Sequence, residues 1–295
     1  MTSSSFLSAV AVFAFMSFFA GASWGIELSE KPPIASISIG GEFSSGKYNT
    51  ADTTRSFYMP LIASWYPTER LDASVELPLL YQSSSQVTTT IYQTPTALTS
   101  SQSVARQGGP GGSGGITGPG GIATTPVAGG TDSSSVSGLG DIILRAGYIL
   151  SFEGNSLPQV RTSLLVKTPT ASQSDGLGTG KFDFGGGLDL SKWLGDMYLA
   201  GDAIYTYQGK VDGFGLKNYL SYSGTVGYQV THSALPMLVI KGSTAPSDYS
   251  ETLLEARGRL LLTLSPSTTI DLFVSHGISN SSPDYSGGGA VIYSF

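Results

Sequence analysis

The stretch 71–82, LDASVELPLLYQ, alternates apolar and polar residues with a period of two. Leu71, Ala73, Val75, Leu77, Leu79 and Tyr81 fall on one face; Asp72, Ser74, Glu76 and Gln82 fall on the other. Successive side chains of a strand point to opposite sides of its sheet, so this pattern reads as a strand with one apolar and one polar face. The same alternation returns at 141–150, where Ile142, Leu144, Ala146, Tyr148 and Leu150 oppose Asp141, Arg145 and Gly147. It returns again at 251–264, where Leu254, Ala256, Leu260, Leu262 and Leu264 oppose Glu255, Arg257, Arg259 and Thr263. The question is which face meets water.

Working outward, twelve such segments appear, at 34–48, 55–66, 70–84, 138–152, 158–168, 181–192, 196–209, 216–231, 234–244, 251–265, 267–277 and 286–295. The run 87–94, VTTTIYQT, reads as an extension of the third. Connections alternate in length. Short turns at 66–70, 153–158, 192–196, 231–235 and 265–268 are rich in Pro, Gly, Asp and Ser. Longer loops fall between them, at 49–55, 85–137, 169–180, 209–215, 245–251 and 278–286. Short turns on the periplasmic side and long loops outside are the habit of outer-membrane barrels. Both chain ends then lie in the periplasm, which requires an even strand number. The expected fold is all-β: a transmembrane antiparallel up-and-down β-barrel of about twelve strands.

Composition agrees. Charged residues make up 12% of the chain, about half the usual share. A soluble β-sandwich of this size, with its charges outside, would carry more. The net charge of −6 argues against nucleic acid, whose binders carry basic patches. There is no cysteine, hence no disulfide framework and no thiolate metal site. Residues 1–22 read as a signal peptide: an apolar run from Phe6 to Phe19, then small residues, with cleavage after Ala22 or Gly25. Its start lacks the usual Lys or Arg, and an N-terminal anchor is the alternative. Residues 26–295 form the barrel. The loop 85–137 is Gly/Pro/Ser low complexity and is expected outside the cell, either disordered or folded in as a lid.

In a membrane barrel the apolar face meets lipid and the polar face lines the lumen. Parity then assigns Glu42, Asp72, Glu76, Asp141, Arg145, Arg161, Lys167, Asp183, Asp189, Asp202, Lys217, Lys241, Glu255, Arg257, Arg259 and Asp271 to the interior. Seven are basic and nine acidic. Buried charges must be paired or hydrated. Either they line a water-filled pore and set its selectivity, or they cross-link a narrow lumen and plug it. Inward Ser36, Ser38, Gly40, Ser74, Gly185 and Gly187 suggest room for a pore. Arg257 and Arg259 share one strand face, with Glu255 before them and Asp271 on the next strand. The chain closes on Val291, Tyr293 and Phe295, all outward, as part of an aromatic girdle; Phe295 also resembles the terminal signature read by the barrel-assembly machinery.

From 138 to the C-terminus the chain resembles a known family, most plainly at 138–150 and 163–201. Gly138-Leu139-Gly140-Asp141 opens a strand, Lys167-Thr168-Pro169-Thr170 ends the next, and Gly178-Thr179-Gly180 follows with Asp183. These residues are similar to the phenol-degradation meta-pathway outer-membrane proteins, a family of transport barrels. Ala171 stands where that pattern usually has Gly. The resemblance implies passive uptake of small organic solutes, aromatic ones among them. The expected partners are outer-membrane lipid, the assembly machinery and such a solute. No nucleic acid, cofactor, metal or catalytic residue is expected, and a structural or surface-display barrel without a pore is the alternative. A lipase reading of His276 and Ser279-Asn280 lacks the run His-x-Ser-Asn-Gly. His232 lies in a turn and suggests nothing.

Overall fold

The computed structural model describes residues 33–48, 51–83 and 135–295, together with the backbone of four short strands between 87 and 126. The signal-peptide assignment for residues 1–22 lies outside the described residues, as does most of the low-complexity loop 85–137.

Twelve antiparallel strands form the wall. They are β1 (Ala35–Gly46), β2 (Thr54–Trp65), β3 (Leu71–Gln82), β4 (Val136–Leu139 continued by Ile143–Ser151), β5 (Gln159–Lys167), β6 (Asp183–Leu194), β7 (Met197–Tyr207), β8 (Tyr219–Tyr228), β9 (Ala234–Ser243), β10 (Leu253–Ser265), β11 (Thr268–Gly277) and β12 (Tyr285–Ser294). Each pairs with its neighbours in sequence, and β1 pairs with β12 from Ser36↔Ser294 to Ser45↔Tyr285, which closes the barrel. Closure removes every free strand edge, the condition for a sheet to sit in hydrocarbon.

The segment Val87–Ile91 does not extend β3. It pairs with Ile122–Pro126 in a separate ribbon inside the long loop. The wall strand ends at Gln82.

Burial follows parity around the wall. In β8 the pattern alternates strictly between buried and exposed, with Tyr219, Ser221, Ser223 and Thr225 buried. The exposed positions carry the apolar residues: Leu61, Leu77, Leu188, Val226, Leu238, Leu272 and Val291 form an aliphatic belt. Exposed aromatics flank it. Phe57, Tyr81, Phe184, Tyr205 and Tyr285 lie toward the loop end, and Trp65, Tyr228, Tyr293 and Phe295 toward the turn end. An apolar band between two aromatic girdles is what a bilayer selects on a barrel exterior. Tyr293 and Phe295 pack edge to face at 5.0 Å. The Phe295 amide donates to Ala35 O (2.9 Å) and its carbonyl accepts from Ile34 N (3.0 Å), so the terminal residue helps seal the seam.

The tight turns occupy one end. The connection between β6 and β7 is two residues, with Gly195 at φ 66°. The φ there lies in the left-handed region that glycine enters without steric cost.

Candidate functional site

The inward face is polar, and its charges are paired. On β5, Arg161 forms a two-pronged bond to Asp72 of β3 (Nε–Oδ1 2.9 Å, Nη2–Oδ2 2.6 Å) and a third to Asp189 of β6 (Nη1–Oδ2 2.7 Å). To reach β3 the guanidinium must cross β4, and it crosses at Gly147. A Cβ there would lie 1.8 Å from Arg161 Nη2. Arg145 of β4 bonds Glu76 of β3 (2.7 Å). Arg259 holds Asp271 on the next strand with two bonds, 2.8 and 2.6 Å. Lys241 meets Glu255 at 3.3 Å.

Arg257 goes elsewhere. Its Nη2 reaches Glu42 Oε1 (3.1 Å), spanning β11 and β12 to bond β1, while Glu255 lies farther off at 3.8 Å. Its guanidinium sits 3.9 Å above the buried Phe273 ring, a cation–π contact. Sequence reading places Glu255 and Asp271 near the arginine pair but has no signal for Glu42, because that contact depends on barrel curvature.

Near the loop end, Lys167 bridges Asp141 (3.0 Å) and Asp183 (2.8 Å) and donates to Thr179 (3.1 Å). This cluster anchors the connection 168–182, which folds inward. Asp141 also accepts from the Ala171 amide (3.0 Å). Thr170 Oγ1 accepts from Ile142 N and donates to Gly140 O, across the break in β4. Leu177 is buried with Tyr58, Leu80, Ile143, Leu165 and Ala171. Two glycines make room: a Cβ on Gly138 would strike Leu177 Cδ1 at 2.8 Å, and one on Gly178 would strike Ala171 Cβ at 2.7 Å. The motif residues at 138–141, 167–171 and 178–183 are thus one structural unit, an inward strap at the loop end of the barrel. The Ala171 methyl is accommodated because position 178 is bare.

Lys217 departs from the parity assignment. It precedes β8 and belongs to the connection 208–218, where strand alternation does not apply; it is exposed and pairs with Asp248 at 2.6 Å. Of the other fifteen assigned residues, six basic and nine acidic, fourteen are buried and Arg145 is half-buried.

The small inward residues do not leave open space. A Cβ at Gly187 would lie 2.4 Å from Ile204 Cγ1, so Ile204 of β7 fills that position. Large inward groups that the charge pattern does not reveal, Tyr58, Tyr198, Leu235, Leu261 and Phe273, are also buried. They occupy the same inward parity as the charges, which is the signal that could have found them. One interior cavity, lined in part by Tyr66, Asp72, Arg145, Arg161 and Ser163, measures about 20 Å³, room for a single water.

His276 is exposed, and its Nδ1 lies 2.7 Å from the Asp284 carbonyl, while Ser279 bonds Ser282 and the Leu254 amide. These pairings, of His276 with a backbone carbonyl and of Ser279 with Ser282 and a backbone amide, are not the nucleophile–base pairing that acyl transfer needs.

A closed twelve-stranded wall, an apolar shell with aromatic girdles and a charged interior define an outer-membrane β-barrel of porin-like architecture. The chain belongs to the family described as "Putative MetA-pathway of phenol degradation", whose model matches residues 80–295. Its fold is similar to that of the COG4313 outer membrane channel from Pseudomonas putida F1, with a TM-score of 0.57 at 12% identity, covering 93% of this chain and 100% of that one. It is also similar to the KdgM porin solved in complex with disordered oligogalacturonate, with a TM-score of 0.50 at 9% identity, covering 88% and 99% of the two chains. No curated protein matches the sequence.

Proposed function

We propose that the protein is an outer-membrane channel for passive uptake of small organic solutes, aromatic compounds among them. The observation that carries this reading is the interior itself. Fourteen ionisable side chains of inward parity are buried and Arg145 is half-buried beside them, and in this reading they line the lumen. Buried ion pairs contribute little net stability, and apolar packing of similar volume serves a wall equally well or better. A lumen retained in charged form keeps water attractive along its length. The family description adds the link to phenol degradation. The partners are outer-membrane lipid, the assembly machinery acting on the strand that ends at Phe295, and the solute; no catalytic role or cofactor is assigned.

In this reading the interior side chains set selectivity and the strap 168–182 narrows the outer mouth. Its opening would widen the path. A second reading, a structural barrel without a patent pore, is favoured by ion pairs that tie separate strands together.

Recording in planar bilayers with the refolded chain distinguishes them. Discrete, repeated openings support the channel, and protein-dependent efflux of phenol-type compounds from loaded liposomes supports the substrate class. A folded, heat-modifiable barrel that never conducts supports the structural reading.

A further inference from the structure

A row of directly opposed inward residues crosses six strands: Arg161↔Asp189, Asp189↔Asp202, Asp202↔Ser223, Ser223↔Lys241 and Lys241↔Glu255. It begins near the turn end of β5 and finishes near the loop end of β10. Strand tilt makes such a row climb the interior from one rim toward the other. Like charges meet at one contact only. Asp189 and Asp202 stand side by side, each about midway along its strand. Directly opposed residues of antiparallel strands hold their Cβ atoms about 4.5–5.5 Å apart.

The two carboxylates are short of partners. Arg161 serves both Asp72 and Asp189 Oδ2. Asp202 accepts a short bond from Ser223. Asp189 Oδ1 and Asp202 Oδ2 have no hydrogen-bond partner among the described residues, and the residues are only 2% and 9% exposed. Ionised together, Asp72, Asp189 and Asp202 would set three negative charges against the single positive charge of Arg161. An excess of two such charges away from bulk water demands compensation.

We propose that Asp189 and Asp202 hold a hard divalent cation of the Ca²⁺/Mg²⁺ class at mid-depth in the barrel, with Asp189 Oδ1 and Asp202 Oδ2 as its protein ligands. A charge of +2 matches the local excess. The donors are oxygens, the set that hard cations take, and the chain has no thiolate to attract softer ones. Among the described residues no group of three or more His, Cys, Asp or Glu is placed to hold a metal. Two carboxylates leave the remaining positions to water, so binding is weak, with a dissociation constant on the order of 10⁻⁴–10⁻³ M.

The test is calorimetric titration of CaCl₂ and MgCl₂ into the purified, refolded full chain in nonionic detergent after chelator washing. The wild type should show one saturable site. Asp202→Asn, which keeps an acceptor for Ser223, and Asp189→Asn should each weaken it at least tenfold while the barrel stays heat-modifiable. Asp248→Asn, at the exposed partner of Lys217, should leave it unchanged. Unchanged binding in both carboxamide variants, or no saturable site in the folded wild type, overturns the proposal. If the variants fail to fold, the wild type still decides. Its thermal midpoint should rise with millimolar CaCl₂ but not with NaCl of equal ionic strength. A midpoint indifferent to Ca²⁺ overturns the site and leaves the two carboxylates sharing a proton.

Discussion

Arg161 reaches Asp72 across a neighbouring strand, and it does so over Gly147, the one position between them that must carry no side chain. The fork to Asp72 and the bond to Asp189 tie β3, β5 and β6 through one guanidinium. Gly147→Ala should therefore expel the guanidinium and leave buried carboxylates unpaired, a loss of about 3–5 kcal/mol. Gly224→Ala, where an added Cβ meets nothing within 4 Å, should be close to neutral. Urea midpoints of the two refolded variants, followed by heat-modifiable migration, check the contrast; equal midpoints would remove Gly147 from the argument.

The pairing of Arg259 with Asp271 predicts strong non-additivity. Each of Arg259→Gln and Asp271→Asn alone strands a buried charge and should cost about 3–5 kcal/mol. The double variant removes both charges and should recover most of that loss. A double-mutant cycle on unfolding free energies measures the coupling. Single variants as stable as the wild type would mean that water already satisfies these groups.

Outward parity makes a depth-dependent prediction. Leu188 lies near the middle of β6 and is 53% exposed on the apolar belt. Arginine there should impair insertion by about 2–4 kcal/mol. Leu157, exposed in a short turn, should accept arginine with little effect. Folding efficiency into lipid vesicles reads both.

The strap can be released without touching the wall. Leu177→Asp places a charge in the apolar cluster with Tyr58, Leu80 and Ile143. The strap should then leave the mouth, become open to protease between 168 and 182, and, if the lumen conducts, raise the single-channel current. Retained protection of that segment in the folded variant would show that the remaining Lys167 and Thr170 contacts hold it alone.

Topology is open to a direct check on cells. Gly154 lies in a short turn and Gly213 in a long connection, and a Cβ at either meets nothing within 4 Å. An epitope at 213 should be labelled on intact cells and one at 154 only after permeabilisation. The reverse result would invert the barrel.

The sequence by itself determined the wall. A period of two is a local property, since each residue's side is set by the backbone between it and the next. Reading it yields the strand count, the apolar exterior and the inward parity of fifteen of the sixteen named charges. It fails at Lys217, where the strand has not yet begun and parity carries no meaning. It also fails at 87–94, because a run of β-branched residues does not say which strand it will join. Which charges meet was decided only by the closed barrel. Arg259 and Asp271 lie on consecutive strands and could be matched in advance, whereas Arg257 finds Glu42 two hundred residues away because curvature brings β1 near β10 across the seam. The free space inside was likewise tertiary. Gly187 reads as an opening and Gly147 as a bare position on the polar face, yet neighbouring side chains fill both, since interiors pack to the density that their walls allow and a missing side chain is room for the next one.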